Sequence, residues 1–176
     1  MRLQTIFLFI LTMIVSASGC SAKAKNNKEQ AAGIIAADTV MQKAVGDSVY
    51  NIIKKAKKVE ITSLPLASDS LKREITKKVS TKELELMKFI ATNPKNYWGN
   101  TAVYGEFLPQ FQAKYVQKKA TVILKYDFGL RKWGVFDAEG KKIAMFDLAS
   151  DNMLRFACKM FPDNKFYHEL LLTREE

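Results

Sequence analysis

The sequence predicts an α+β fold, with an antiparallel sheet packed against N-terminal, middle and C-terminal helices on one face. Two observations predict this class. Apolar residues recur at helical spacing over residues 29–56, from residue 80 to 93, and again after residue 150. Between residues 102 and 147 the period changes to two, which is typical of strands. We therefore expect a sheet of about four to six strands, with 102–147 folded as a meander.

The first predicted helix covers residues 29–56, and Gly33 and Gly46 are expected to break it. The basic run 54–58 lies at its end, where positive charge suits the helix dipole, so the run needs no ligand to explain it. Residues 59–64 alternate in polarity and predict a strand that ends near Pro65. Residues 73–79 predict a second strand, with a mixed set of side chains on one side: Arg73, Ile75, Lys77 and Val79.

The middle helix has the clearest local signal. Ser80 and Glu83 form an S-x-x-E capping box, and Val79 with Leu84 fits a hydrophobic staple. The following proline predicts that this helix ends at Asn93. Residues 95–100 are then expected to form a loop that carries Tyr97 and Trp98.

The meander begins after this loop. Lys118-Lys119 is expected to turn its first long hairpin, and Gly140 suits a type I turn with a G1 bulge in the last one. Two helices follow, one over 151–160 and one from residue 163 onward. The predicted strands are 102–107, 111–117, 121–126, 132–136 and 141–146.

The amino terminus predicts export. Arg2 supplies a positive start, residues 6–15 form an apolar run, and small residues lead up to Cys20. The apolar run is shorter than the roughly 20 residues that a spanning helix needs. Residues 1–19 therefore predict a secretory signal peptide. An ordinary signal peptide followed by an incidental cysteine is the alternative.

The four residues 17–20, Ala-Ser-Gly-Cys, resemble the lipobox of bacterial lipoproteins, although Ala17 stands where Leu is more common. The resemblance implies that Cys20 carries a diacylglyceryl group, that the signal is cut before it, and that its new amino group is acylated. Two or more acyl chains make membrane attachment stable. By resemblance to enterobacterial sorting, Ser21 implies the outer membrane, facing the periplasm; the inner membrane stays open. We expect a lipidated tether over 20–28 and a single globular domain over 29–176.

The net charge and the predicted export limit the kinds of partner that we expect. The net charge of +10 comes mainly from lysine, and such a surface chiefly serves solubility. Export makes nucleic acid an unexpected partner. The predicted partners are the lipid bilayer, through acylated Cys20, and an envelope protein or glycan. No cofactor and no metal are expected, because no metal-ligand spacing is present.

Three residues are candidates for ligand binding. Trp98 and Tyr97 lie in the predicted loop, where aromatic rings near lysines can bind sugars or peptides, although such rings more often fill a core. Asp127 opens an Asp-Phe-Gly triplet like that of protein kinases, but the other kinase motifs are missing. Asp127, Asp137 and Asp147 lie at predicted strand ends, where a cation is one interpretation and local turn hydrogen bonds are the expected one.

Two single residues are expected to be unreactive. With Cys20 acylated, Cys158 has no partner in the chain, and it shares an apolar helix face with Leu154 and Phe161, which favours a buried thiol over a reactive one. His168 is the only histidine, and no orienting acid is predicted to face it.

The segment from Phe107 to Asp147 resembles a loosely defined group of uncharacterised bacterial exported proteins, through Phe107-Leu108-Pro109 and the Val/Leu-rich strand after it. That group often carries cysteines in regions where Glu106 and Phe128 stand here, so no disulfide is implied. The resemblance supports the fold class. The sequence thus predicts a non-catalytic, membrane-anchored envelope lipoprotein with a binding or structural role. The alternatives are a periplasmic hydrolase that uses Asp127 and Asp137, and an inhibitor or immunity-type lipoprotein.

Overall fold

The computed structural model describes residues 41–66, 73–99 and 105–175. The described residues all belong to one compact unit. The signal peptide, Cys20, the tether, the start of the first predicted helix and residues 102–104 lie outside this part of the chain.

The described part confirms the predicted α+β class. It contains four helices, named α1 to α4, besides a helical stretch at 41–45, and seven strands, one more than the expected range. The helices are α1 (Asp47–Lys55), α2 (Thr81–Thr92), α3 (Asn152–Met160) and α4 (Lys165–Leu172), with a short 3-10 turn at Pro94–Asn96. The strands are β1 (Lys58–Ser63), β2 (Ile75–Lys78), β3 (Tyr97–Trp98), β4 (Phe111–Gln117), β5 (Ala120–Asp127), β6 (Lys132–Phe136) and β7 (Lys142–Leu148).

The strands form one sheet in the order β2-β1-β4-β5-β6-β7-β3, and every neighbouring pair is antiparallel. Strands β4 to β7 are consecutive neighbours, which confirms the predicted meander from residue 111 onward. Gly140 has a φ of 84° in the last hairpin, where its N–H donates to the Asp137 carbonyl at 3.2 Å, as expected for the predicted turn. The short strands β2 and β3 form the two edges.

Two predictions at the start of the meander are wrong. Residues 105–107 form no strand, because Gly105 turns the chain with a φ of 126° and Phe107 then stacks on Phe136 at 6.2 Å between centroids. The predicted loop at 95–100 instead contains strand β3, since Tyr97 and Trp98 pair with Leu148 and Asp147 of β7.

The helix boundaries follow local chemistry. Gly46, with a φ of 79°, separates the helical residues 41–45 from α1, at the break that the sequence predicts. At α2 the Ser80 side chain accepts a hydrogen bond from the Glu83 N–H at 3.3 Å, and Glu83 Oε2 accepts one from the Ser80 N–H at 2.8 Å. These bonds from Ser80, first the backbone one, lower the pKa of Glu83. The capping box is therefore confirmed.

The helices pack on one face of the sheet. This face is continuous across the central strands, where Val59, Ala113, Leu124 and Val135 are buried. Aromatic rings dominate it: the Trp133 ring stacks on those of Tyr126 at 5.6 Å and Phe146 at 4.8 Å. The opposite face carries polar side chains such as Thr121 and Lys114, as expected for an antiparallel sheet with one solvated face.

Candidate functional site

A groove lies between the β2 edge of the sheet and the segment that joins α3 to α4. Its volume is about 600 Å³, within the range of about 300–1,000 Å³ that is typical of ligand sites. Among the described residues, three separate segments line it: 63–66 at and after the end of β1, 73–77 in and before β2, and 161–166 around the start of α4. Its apolar lining residues are Leu64, Pro65, Leu66, Ile75, Phe161 and Phe166.

Lys77 ties the two walls of the groove together. Its Nζ donates a hydrogen bond to the Met160 carbonyl at 2.7 Å, at the end of α3, and lies 5.1 Å from the centroid of the Phe161 ring. A cation suits this position because the last carbonyls of a helix carry negative partial charge. Lys77 thus links the edge strand to the end of α3.

The floor of the groove rests on a buried polar network, two members of which, Ser63 and Asn164, line the groove. The Ser63 hydroxyl is 3.0 Å from the Tyr167 hydroxyl and accepts a hydrogen bond from Asn164 Nδ2 at 2.9 Å. The Tyr167 hydroxyl donates to the Gln110 carbonyl at 2.6 Å. Burial raises the pKa of Tyr167 to about 12, so this hydroxyl keeps its proton at neutral pH. Because each of these groups has a partner, the floor is a preformed surface.

The rim of the groove is basic. Among the described lining residues, Arg73, Lys77 and Lys165 are basic and Asp163 is acidic, so their formal charge is three minus one, or +2. The side chains of Arg73 and Lys165 are exposed and form no ion pair within the described residues. Ile75 is apolar and 53% exposed, although it faces the helix side of the sheet. The groove therefore presents apolar surface flanked by basic side chains that have no acidic partner among the described residues.

The aromatic candidates Tyr97 and Trp98 point to opposite faces of β3, because side chains alternate along a strand. The Tyr97 ring is buried, with edge contacts to Trp133 at 5.7 Å and Phe146 at 5.3 Å. Trp98 is 64% exposed on the open face of the sheet. The structure thus leaves only Trp98 of this pair accessible to a ligand, and neither ring lines the groove.

Asp127 is buried at the end of β5, where it organises the surrounding backbone. Its carboxylate accepts hydrogen bonds from the N–H groups of Leu108 at 2.7 Å and Leu130 at 3.0 Å. The Gln110 side chain adds a contact at 3.4 Å to Asp127 and accepts a bond from the Phe128 N–H at 2.8 Å. Asp127 and Trp98 are separated by the intervening strands β6 and β7, which places them roughly 14 Å apart.

The other two strand-end acids are also engaged locally. Asp137 accepts hydrogen bonds from the N–H groups of Glu139 at 3.1 Å and Lys141 at 2.8 Å, within its own turn. Asp147 forms an ion pair with Lys132 on the neighbouring strand. Asp127 and Asp137 lie at opposite ends of the β5–β6 hairpin, roughly 17 Å apart. That separation exceeds the roughly 5–10 Å of a glycosidase carboxylate pair, so these two residues do not form the site that the alternative hydrolase hypothesis requires.

The single cysteine and histidine of the described part lie apart from the groove lining. Cys158 is buried in α3, and burial raises the pKa of its thiol. His168 is exposed on α4 and makes no hydrogen bond within the described ranges. Over residues 41–66, 73–99 and 105–175, no group of three or more His, Cys, Asp or Glu side chains is placed to hold a metal ion.

A second cavity, of about 10 Å³, lies inside the core beside Tyr126, Trp133 and Asn96. It has room for at most about one water molecule, so it is not a ligand site. None of the helices in the described part is long and apolar enough to cross a bilayer. Sequence reasoning missed the groove, although the mixed side of the predicted strand at 73–79 was a signal for it.

No protein-family model, no curated protein and no solved structure matches the chain.

Proposed function

We propose that this chain is a cell-envelope lipoprotein, anchored through Cys20, whose folded domain binds a ligand non-catalytically in the groove between β2 and α4. The observation that carries the binding role is the groove itself. It combines ligand-sized volume, a floor whose hydrogen bonds are already formed, and apolar and cationic side chains left exposed at its rim. The lipobox-like residues 17–20 support the anchor.

In this proposal the anchor keeps the groove close to the membrane. A tethered domain stays within reach of partners at the membrane surface, and a lipid with two or more chains keeps it there. The acids considered for catalysis, Asp127 and Asp137, each hold backbone N–H groups in place. Outer-membrane placement, facing the periplasm, is part of the proposal and rests on Ser21.

The anchor is tested by mass spectrometry of the chain isolated from bacterial membranes. We expect a mature chain that begins at Cys20 and carries at least two acyl chains. A Cys20→Ser variant should leave the membrane fraction. An unmodified Cys20, or cleavage at another residue, would contradict the anchor without bearing on the groove.

The groove is tested with anilinonaphthalene sulfonate, an anionic apolar dye, added to the lipidated chain in nanodiscs of zwitterionic lipid. Ile75→Asp should remove most of the protein-dependent fluorescence, because it places a negative charge in the groove. Phe89→Asp is the matched control, since Phe89 is 61% exposed on α2 and does not line the groove. Equal loss in both variants, or no loss in either, would contradict a ligand site at this position.

A further inference from the structure

We infer that the groove takes an extended acidic segment of another envelope protein, which adds to the sheet along the edge of β2 that no strand of the described residues covers. This inference deepens the proposed binding role and rests on it. Four features carry it: the position of the groove at a sheet edge, the direction in which β2 side chains point, the charge of the rim and the prebuilt floor.

The edge offers backbone hydrogen bonds. Strand β2 ends the strand order of the sheet, pairs with β1 on one side, and has no strand of the described residues on its other side. All four of its residues are exposed. A strand edge presents a row of N–H and C=O groups that an incoming extended peptide can pair with. Strand β3, at the opposite edge, has only two residues and offers fewer such groups.

The side-chain directions connect this edge to the groove. Ile75 and Lys77 lie opposite Ser63 and Ile61 of β1, so they point to the helix side of the sheet. An added strand would place every second side chain on the same side, above the groove wall formed by Phe166 of α4. The groove would thereby contact alternate side chains of the bound segment, while β2 forms hydrogen bonds with its backbone.

The charge of the rim selects an acidic segment. Arg73 and Lys165 are exposed and unpaired within the described part, and they flank apolar surface at Ile75. Charge complementarity of this kind favours acidic partners and disfavours basic ones. The side chains that face the groove are therefore expected to alternate between a carboxylate and an apolar group.

The floor keeps this geometry ready in the unbound protein. The hydrogen bonds among Ser63, Asn164 and Tyr167 fix the start of α4 against the end of β1. A preformed site loses less conformational entropy when its ligand binds. Most of the conformational entropy lost on binding would therefore come from ordering the bound segment.

The experiment uses the lipidated chain in nanodiscs and a fluorescein-labelled peptide, read out by fluorescence anisotropy. The peptide alternates Glu and Val at every second position, with Thr between them. We expect saturable binding that the double variant Arg73→Glu/Lys165→Glu weakens about tenfold or more. The control Lys119→Glu/Lys141→Glu makes the same charge change at exposed turn positions outside the groove, and should change the affinity less than about twofold.

Two further peptides test the binding mode. A peptide N-methylated at every second residue, on the edge that would face β2, keeps its charge and side chains but loses the N–H donors. We expect it to bind about tenfold more weakly or not at all. A peptide with Lys in place of Glu should not bind.

Several results would overturn the inference. Equal binding of the N-methylated peptide would exclude strand addition, and equal weakening by the control variant would reduce the effect to bulk charge. If the dye binds the groove but the acidic peptide does not, the groove takes a small anionic ligand, and the proposed binding role survives without this inference. If neither binds, both fail.

Discussion

Tyr167→Phe tests whether the buried network under the groove holds α4 on the sheet. The substitution removes a single hydroxyl, which donates to the Gln110 carbonyl at 2.6 Å and lies 3.0 Å from the Ser63 hydroxyl. The phenylalanine ring should keep the edge contact with Phe128, now 5.6 Å between centroids. The change therefore isolates the hydrogen bonds from the packing.

The expected magnitude follows from what the lost hydroxyl leaves behind. The Gln110 carbonyl still accepts a bond from the Leu64 N–H at 2.8 Å, and Ser63 keeps its bond from Asn164 at 2.9 Å. Because both groups keep a hydrogen-bond partner, we expect the free energy of unfolding to fall by about 1.5 kcal/mol. This is below the upper end of the cost of a buried unsatisfied group. For a domain of this size that corresponds to a fall in Tm of about 3–6 °C.

The assay is urea and thermal unfolding of wild type, Tyr167→Phe, Ser63→Ala and the double variant. The double-mutant cycle should give a coupling energy of about 0.5–1 kcal/mol between Tyr167 and Ser63. A free energy of unfolding unchanged within about 0.3 kcal/mol, or zero coupling, would refute the network as a stabilising element.

The same hydroxyl predicts a pH dependence. The folded pKa of Tyr167 is raised from 10.0 to about 12, mainly by burial. A raised pKa means that the stability it contributes is fully present below pH 10 and is lost as the pH rises from 10 towards 12. The stability advantage of wild type over Tyr167→Phe should therefore shrink across this window, measured by chemical unfolding at each pH. A constant difference would contradict the burial of the hydroxyl.

The remaining predictions concern groups outside the groove. Asp127→Ala should lower the free energy of unfolding by about 2–4 kcal/mol, because it strands the N–H groups of Leu108 and Leu130; a stable variant would argue against the structural role. Wild type should be more stable than Glu83→Gln above pH 4.5, where the carboxylate with its lowered pKa is charged, and the advantage should vanish as the pH falls through that lowered pKa. Cys158 should resist iodoacetamide at pH 8 in the folded chain and react after unfolding in urea; rapid labelling of the native chain would contradict its burial and raised pKa.

The central strands were predictable because their sequence pattern reports burial directly. Residues 111–117 and 132–136 are strands at the predicted positions. In β4, Phe111, Ala113 and Tyr115 alternate with half-buried polar side chains, as one covered face requires. The capping box was equally visible, since both of its partners lie within one turn of the helix.

The edge of the sheet at Tyr97 and Trp98 was not predictable in the same way. A strand of two residues has no measurable period, and its existence depends on pairing with Leu148 and Asp147, about fifty positions later in the chain. The loop expected there and the strand found there share the same local sequence. The long-range partner decides between them, and a single sequence does not show that partner.

The groove depends on contacts between distant segments, and it also left one local signal in the sequence. Its lining segments come from residues between 63 and 166, so no local sequence motif could predict the groove. One local signal did exist: a single side of the strand at 73–79 carries Arg73, Ile75 and Lys77, a pattern that suits neither a buried face nor a plain solvated one. An exposed apolar side chain on an edge strand raises the risk of aggregation. Lysine side chains on such a strand usually protect against it. Lys77 instead donates its hydrogen bond to the end of α3, so Ile75 stays 53% exposed beside Arg73, which has no ion pair in the part of the chain that the structure describes. A mixed face on a short predicted edge strand is therefore best interpreted as a candidate binding edge, because core packing and solubility each explain only half of its residues.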